Sequence, residues 1–199
     1  MAIKEDYAGV HRKSIDYRNF VNKINPTIVQ IGAHDGIVGE EYGLQEFLES
    51  ISDFNLVLVE PLEKYFNNLI NVYEKFKDKV KYKNYAISDT DGCVNMFDKG
   101  GMSHIDNSGN VQVKCKSWNN FILETNIKKI DLLLLDCEGY EFDIIKQINF
   151  NNLKPKIIRY EYHHMPNKRE CDKFLMSLNY KIQYCYHDHI NNKTAILQD

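Results

Sequence analysis

The stretch from Thr27 to Gly36 constrains the fold of this chain more than any other part of its sequence. It reads TIVQIGAHDG, a β-branched apolar run that stops at a glycine, with a second glycine four residues further on. Such a run is too short for a helix and favours a buried strand that enters a tight turn. Glycine permits positive φ and the close approach of a ligand, and a following helix N-terminus offers unpaired N–H groups. The stretch therefore predicts a binding turn for a nucleotide-like molecule, although strand, glycine and helix also follow one another as plain architecture.

Short apolar runs alternate with amphipathic segments along the rest of the chain. Further strands are predicted at 56–59, 85–87, 93–97, 111–115, 132–135, 157–162, 180–186 and 194–197. Helices are predicted at 13–24, 42–51, 62–76, 118–122, 142–148 and 166–178, with Ser14 and Ser117 as candidate N-caps. Strands that alternate with helices and end in a hairpin predict an α/β fold with a mostly parallel sheet and an antiparallel edge. The loop at 100–110, rich in small residues, is long enough for a lid or a substrate-binding segment.

Length and charge exclude several classes of protein. A chain of 199 residues fits a single domain, 1–199, here with a helical N-terminal extension at 1–25. The net charge of −3 provides no field for nucleic acid, and no apolar run is long enough for a signal peptide core or a membrane span. We therefore expect a soluble, cytoplasmic protein that binds neither nucleic acid nor membrane. The five cysteines form no C-x-x-C pair, which predicts reduced and mostly buried thiols.

The residues at which the predicted strands end are the candidate ligand-binding residues. In an open α/β sheet, ligands bind at the carboxyl ends of the strands. Those ends are Gly32–Gly36, Glu60, the pair at 88–89, and Asp136 with Glu138. Glu60 is placed to accept hydrogen bonds from both ribose hydroxyls of an adenosine, unless it is an ordinary exposed residue before a proline turn. Because position 34 is histidine, the fingerprint G-x-G-x-x-G is absent and a nicotinamide dinucleotide is less favoured.

Four blocks of the sequence together resemble a known family. They are IVQIGAHDG at 28–36, LVLVEPLEKYFNNL at 56–69, NYAISD at 84–89 and IDLLLLDCEGYE at 130–141. In order and spacing they resemble the FkbM-type methyltransferases, a branch of the class I S-adenosylmethionine-dependent enzymes. The resemblance implies a Rossmann-like, seven-stranded, mostly parallel sheet with an antiparallel last strand and helices on both faces. It also implies S-adenosylmethionine bound over the glycine turn.

The same resemblance implies which residues bind the cofactor. Gly32, Ala33 and Gly36 would line its methionine part, Glu60 its ribose, and 86–89 its adenine edge. The full predicted set is Gln30, Gly32, Ala33, His34, Asp35, Gly36, Glu60, Pro61, Ala86, Ile87, Ser88 and Asp89. The family commonly has an acid where this chain has Gln30, so the cofactor's ammonium would keep at most a hydrogen bond there.

Three residues are candidates for the catalytic base. If the methyl acceptor is a hydroxyl, the protein must also remove its proton, and Asp136 at a strand end is the first candidate. Glu138 and His163 are the alternatives, since an imidazole with an ordinary pKa of about 6.5 suits a base at neutral pH. Each also has a structural interpretation: a helix cap, a turn contact or a surface histidine. The acids and histidines could also hold a divalent metal, as in some O-methyltransferases, and His187-x-His189 has a spacing seen in metal sites. No resident metal is predicted, because no third ligand is fixed by spacing.

The leading hypothesis from the sequence is an S-adenosylmethionine-dependent O-methyltransferase acting on a hydroxyl of a sugar or another small molecule. The first alternative is a non-catalytic Rossmann-like binding module, which Gln30 alone supports. A nicotinamide-dependent oxidoreductase is the weaker alternative. The identity of the acceptor and the oligomeric state leave no signal in the sequence.

Overall fold

The computed structural model describes residues 5–6, 10–11, 17–37, 44–184 and 192–198. The strands are β1 Glu5–Asp6, β2 Val10–His11, β3 Thr27–Ile31, β4 Asn55–Val59, β5 Val80–Lys83, β6 Ala86–Ser88, β7 Gly92–Phe97, β8 His104–Ile105, β9 Val111–Ser117, β10 Leu132–Leu135, β11 Ile157–Glu161, β12 Tyr180–Tyr184 and β13 Asn192–Leu197. The helices are α1 Leu44–Glu49, α2 Glu63–Val72, α3 Trp118–Thr125, α4 Glu141–Gln147 and α5 Lys168–Ser177. Two 3₁₀ helices span Tyr17–Asn19 and Glu74–Lys79.

Within these residues, the main sheet has the strand order β1-β2-β12-β13-β11-β10-β3-β4-β5. From β12 to β5 it forms the seven-stranded, mostly parallel sheet expected from the sequence. Strands β11, β10, β3, β4 and β5 run parallel, and β13 pairs antiparallel with both β11 and β12. Because β3 and β10 lie side by side in the middle, their carboxyl ends meet at one edge of the sheet.

Helices cover both faces of the main sheet. Alternate residues of each central strand point to opposite sides, so Ile28 packs against α1 and α2 while Val29 packs with the core formed by α3, α4 and α5. Ser117 caps α3 as predicted, since its side chain accepts a hydrogen bond from the N–H of Asn120. No helix among the described residues has both the length and the apolar character needed to cross a bilayer.

The strand that follows β4 in the main sheet is β5, Val80–Lys83, whereas the sequence predicted this strand at 85–87. Three lysines, at positions 79, 81 and 83, alternate with apolar residues in this segment, and lysine is typical of an exposed edge strand. The sequence therefore resembled a solvated helix end. Strand β6, where the third strand was predicted, instead starts a second, four-stranded sheet of order β6-β9-β7-β8.

The predicted helix at 13–24 is wrong over its described part. After the 3₁₀ helix Tyr17–Asn19 the chain forms turns and bends, and Phe20 and Ile24 are 51% and 81% exposed. The side chain of Asn22 accepts a hydrogen bond from the N–H of Ile24, a local contact that competes with helix formation. Ser14, a candidate N-cap, and Tyr42, predicted to be helical, lie outside the described residues.

The thiols only partly follow their prediction. Cys115 and Cys171 are buried and Cys137 is half-buried, but Cys93 is exposed on β7, and all four are free. Cys185 lies outside the described residues.

Candidate functional site

A cavity of about 340 Å³ opens at the carboxyl edge of the main sheet, next to the second sheet. That volume is within the range of small-molecule sites, roughly 300–1,000 Å³. Its walls come from the turn after β3, the start of α1, the end of β4, the loop at 100–105 and the loop after β10. The lining residues are Gln30, Ile31, Gly32, Ala33, His34, Gly36, Ile37, Gln45, Glu46, Glu60, Pro61, Leu62, Tyr73, Tyr85, Ala86, Ile87, Met96, Gly100, Gly101, Ser103, Ile105, Asp136, Cys137, Glu138 and Tyr140.

The two glycines of the turn are required by packing inside the protein. Gly32 has a φ of +81°, and a Cβ built on it would lie 1.7 Å from the carbonyl oxygen of Asp136. Gly36 has a φ of +74°, and its Cβ would lie 2.8 Å from the ring of Tyr73. Positive φ was expected, but the close approach that excludes a side chain is made by the protein's own atoms.

The N–H groups of the turn are also engaged. Those of Gly32 and Ala33 both donate to the carbonyl of Val59 at 3.0 Å. The N–H of Gly36 donates to the carbonyl of Ala33 at 3.1 Å, and that of Ile37 to the Asp35 carboxylate at 3.0 Å. A ligand in the cavity therefore meets side chains rather than a row of open backbone donors.

Glu60 ends β4 as a buried carboxylate, so its interpretation as an exposed residue is wrong. It is 4% exposed. One carboxylate oxygen accepts from the N–H of His34 at 2.9 Å and the other from the N–H of Leu62 at 2.8 Å. Burial raises the pKa of Glu60 to about 7, although both backbone hydrogen bonds act in the opposite direction. Each oxygen retains a lone pair with which it can accept a hydrogen bond from a ligand hydroxyl.

Asp136 and Glu138 enter the cavity from the loop after β10. The N–H of Asp136 donates to the carbonyl of Ile31, which fixes the start of the loop to the end of β3. Glu138 has a φ of +52°. Its carboxylate lies 2.6 Å from Nδ1 of His164, which is also 3.1 Å from the carboxylate of Glu161.

His163, a predicted candidate for the catalytic base, does not lie beside Glu138 and Glu161 as His164 does. It is exposed and does not line the cavity, and its ring lies edge-on to that of His164 with centroids 4.8 Å apart. The bend after β11 thus brings the second of the two adjacent histidines to the acids, where the sequence had favoured the first.

Glu141 holds the loop that carries Asp136 and Glu138. It is fully buried at the start of α4 and accepts hydrogen bonds from the N–H groups of Cys137, at 2.7 Å, and Gly139, at 3.1 Å. Burial raises its pKa to about 8, and the charge of Glu161 adds to that rise. The last acid of the DCEGYE block therefore acts on the loop, a role that the sequence gave no reason to assign to it.

Two overlapping groups of side chains have metal-ligand chemistry. The ligand atoms of Glu138, Glu161 and His164 lie within 4.8 Å of one another, and so do those of Asp136, Glu141 and Glu161. Oxygen-rich sets of this kind suit hard divalent cations. The predicted spacing His187-x-His189 lies outside the described residues.

Most of the predicted cofactor-binding residues line the cavity. These are Gln30, Gly32, Ala33, His34, Gly36, Glu60, Pro61, Ala86 and Ile87. Asp35, Ser88 and Asp89 do not line it. Asp35 supports the turn through Ile37, and Asp89 accepts hydrogen bonds from the hydroxyls of Ser88, at 3.1 Å, and Tyr140, at 3.4 Å.

Several lining residues were missed. The amide of Gln45 donates to the carbonyl of Gly36 at 3.0 Å and so supports the turn from α1. Tyr140, in the loop after β10, lines the cavity, and Met96 and Ile105 bring the second sheet to it. Tyr140 lies in the DCEGYE block but was not assigned a role there. No motif marks Gln45, Met96 or Ile105, because their positions depend on how the elements around the cavity meet.

Comparison with known proteins gives the family. The model of the methyltransferase FkbM domain matches residues 30–187. Among curated proteins, none matches this chain. A methyltransferase FkbM from Methylobacillus flagellatus KT superposes with a TM-score of 0.64 at 14% identity, over 86% of this chain and 43% of that one. This chain therefore spans less than half the length of that protein.

Two further structures share the fold at lower identity. The O-methyltransferase from Bacillus cereus in complex with S-adenosylhomocysteine gives a TM-score of 0.53 at 10% identity, covering 92% of this chain and 77% of that chain. Fibrillarin from Aeropyrum pernix, with natively bound S-adenosylmethionine, gives 0.52 at 9% identity, covering 87% and 67%. The fold is therefore that of S-adenosylmethionine-dependent methyltransferases, and because the family model spans most of the sequence, the chain belongs to the FkbM methyltransferase domain family.

Proposed function

We propose that this protein is an S-adenosylmethionine-dependent O-methyltransferase that acts on a hydroxyl of a sugar or another small molecule. The observation that carries this proposal is the convergence of three features in one cavity. They are the glycine turn after β3, the buried carboxylate of Glu60 after β4, and the acidic loop with Asp136 and Glu138 after β10. Family membership supports the reaction class.

The lining residues fit the cofactor. Each oxygen of the Glu60 carboxylate accepts one backbone N–H, and its second lone pair can accept a hydrogen bond from a ribose hydroxyl. Ala86, Ile87 and Met96 supply an apolar wall suited to an adenine ring. The carboxylates of Asp136 and Glu138 favour a positive charge in the cavity, and the cofactor's sulfonium and ammonium are both positive. Gln30, 4% exposed, can hydrogen-bond the methionine end in place of an ionic contact.

When bound, the cofactor supplies an electrophilic methyl group on a positively charged sulfur. The chain's own residues have three tasks: to hold the acceptor oxygen in line with that methyl, to exclude water and to take up the hydroxyl proton. Asp136 is the proposed proton acceptor, because it ends a central strand and faces the cavity. Glu138 with His164 is the alternative, since their 2.6 Å contact would pass a proton towards solvent. Glu141 keeps both carboxylates in place by binding the loop's N–H groups.

The cofactor site is tested by calorimetric titration with S-adenosylhomocysteine. We expect the wild type to bind in the micromolar range, about −8 kcal/mol. Glu60→Ala should lose roughly 1–3 kcal/mol, because it removes the buried acceptor for the ribose hydroxyls. Glu63→Ala, at an exposed position three residues along the chain, is the matched control and should bind like the wild type. If both variants bound S-adenosylhomocysteine with the affinity of the wild type, Glu60 would not be a cofactor-binding residue.

Catalysis is tested separately by the formation of S-adenosylhomocysteine with a panel of hydroxylated acceptors. Asp136→Asn should reduce turnover by about 10²-fold or more while cofactor affinity stays within a few-fold, which is the size of effect expected from loss of a general base. The non-catalytic binding module would be favoured by tight cofactor binding without turnover on any acceptor, together with a cofactor affinity that Asp136→Asn leaves unchanged.

The nicotinamide alternative finds little support at this site. A dinucleotide brings a pyrophosphate, which is usually bound by open N–H groups at a glycine turn and helix N-terminus. Here the N–H groups of Gly32, Ala33, Gly36 and Ile37 have partners within the protein. Quenching of reduced-nicotinamide fluorescence on mixing would reverse this argument.

A further inference from the structure

The mouth of the cavity carries exposed apolar side chains. Ile37 lines the cavity and is nevertheless 67% exposed, which places it where the cavity meets solvent. Met102 is 59% exposed and lies between Gly101 and Ser103, both of which line the cavity. Exposed apolar groups around a binding cleft are typical of a surface that a ligand covers.

The formal charges around the cavity are negative. Glu46, Glu60, Asp136 and Glu138 line it, and none of the lining residues that the structure describes is Lys or Arg. The guanidinium of Arg18, outside the lining, lies 4.0 Å from the carboxylate of Glu46. Lys99, which directly precedes the loop at the mouth, and Lys64 both contact groups outside the cavity lining. Lys64 forms a 2.6 Å ion pair with Asp98, and the ammonium of Lys99 lies 5.0 Å from the ring centre of Phe97.

Polar groups at the mouth are also poor partners for an anion. The hydroxyl of Ser103 donates to the carbonyl of Gly100 at 2.6 Å, and that of Tyr140 donates to Asp89 at 3.4 Å. The lining side chains with N–H donors, His34, Gln30 and Gln45, belong to β3, the turn after it and α1, which form the part of the cavity proposed for the cofactor. At the mouth itself the charged groups are carboxylates. An anion entering there would lose hydration and gain no cation, whereas a hydroxyl or ammonium would find acceptors.

We propose that the mouth, formed by Ile37, the loop at 100–105 and Glu138, is the acceptor site, and that it takes an acceptor without negative charge whose hydroxyl adjoins an apolar group. Phosphorylated and carboxylated acceptors are excluded. This inference rests on the proposed function, because the deeper part of the cavity must be occupied by the cofactor. The apolar group covers Ile37 and Met102, and the hydroxyl points inward to the carboxylates of Asp136 and Glu138.

The test is a titration of the protein saturated with S-adenosylhomocysteine, followed by the amide NMR signals of Gly100, Gly101 and Ser103. Three probes share an aromatic group and differ in charge: 2-phenylethanol, 2-phenylethylamine and phenylacetate. We expect the alcohol and the ammonium to shift these signals, and phenylacetate to bind at least about tenfold more weakly because it gains no compensating partner.

Variants separate the apolar and the charged contributions. Met102→Asp should weaken binding of the alcohol by about three- to tenfold, while Leu123→Asp, 76% exposed on α3 and outside the cavity lining, should have no effect. Glu46→Lys should reduce the discrimination against phenylacetate. Two results overturn the inference while leaving the proposed function intact: phenylacetate bound as well as the alcohol, or no probe shifting these signals although S-adenosylhomocysteine binds. Failure of S-adenosylhomocysteine to bind overturns both proposals.

Discussion

The imidazole of His34 stacks on the ring of Tyr65, with ring centroids 3.8 Å apart. His34 belongs to the turn after β3 and has a φ of +48°, whereas Tyr65 belongs to α2. The hydroxyl of Tyr65 donates to Asp98 at 3.3 Å, and Asp98 lies two residues before the loop at the cavity mouth. The stack therefore connects the turn proposed to hold the cofactor with the loop proposed to hold the acceptor.

The first prediction separates the ring of Tyr65 from its hydroxyl. Tyr65→Ala should weaken S-adenosylhomocysteine binding by about three- to tenfold, because an aromatic pair contributes roughly 0.5–1.5 kcal/mol beyond its buried area and His34 loses its support. Tyr65→Phe keeps the stack and should bind like the wild type in a calorimetric titration. Equal losses in the two variants would show that the hydroxyl, rather than the ring, supports the turn.

The second prediction concerns the two kinds of glycine in the cavity. Gly32→Ala forces a Cβ to within 1.7 Å of the Asp136 carbonyl oxygen at positive φ, so it should destabilise the protein by about 3 kcal/mol or more, or prevent folding. Gly101 also lines the cavity, but a Cβ there meets nothing within 4 Å. Gly101→Ala is the control, and urea denaturation should place it within about 1 kcal/mol of the wild type. A similar cost for both substitutions would contradict this account.

This glycine turn shows how far sequence reasoning reached. The strand, the turn, the positive φ and the acid at the end of the next strand are encoded by neighbouring residues, and all are found as predicted. The partners of the turn are not local. Val59, which engages its N–H groups, ends the neighbouring strand β4, and Asp136, which excludes a side chain, follows the neighbouring strand β10. A sequence alone does not give the register that brings them there, so the reason for the glycines was misassigned.

The other differences have the same origin. The lysines of β5 made this segment look unlike a strand. They are compatible with one because β5 lies at the edge of the sheet, where long charged side chains reach solvent. His163 and His164 are equivalent in the sequence, and the bend after β11 decides which of them reaches Glu138. Glu141 is the last residue of the DCEGYE motif. Its role depends on its burial and on the backbone N–H groups that donate to it, which the motif alone does not indicate.

The third prediction concerns the pH dependence of stability. Burial raises the pKa of Glu141 from 4.5 to about 8, so the folded state binds this proton more tightly than the unfolded state does. The stability associated with it is therefore fully present below pH 4.5 and is lost as the pH rises through 8, by up to about 1.4 kcal/mol per pH unit.

Glu141→Gln should remove most of this dependence, because an amide oxygen can still accept from Cys137 and no charge is buried at high pH. In urea denaturation at pH 5.5 and pH 8, we expect the wild type to lose at least about 1 kcal/mol more than the variant. Glu170→Gln, at an exposed position of α5, is the control and should behave like the wild type. Parallel pH profiles for the wild type and Glu141→Gln would refute the assignment.

The last prediction concerns a buried ion pair that holds α5 to the hairpin. The ammonium of Lys193 lies 2.6 Å from the carboxylate of Asp172, and both residues are fully buried. The hydroxyl of Tyr160 donates to the same carboxylate at 2.8 Å. Asp172→Ala removes the carboxylate 2.6 Å from a buried ammonium, so it should lower the free energy of unfolding by about 3–5 kcal/mol. Asp143→Ala removes an exposed i,i+3 pair with Lys146 and should cost less than about 1 kcal/mol in the same denaturation experiment. If the two substitutions cost the same, the ion pair does not anchor α5.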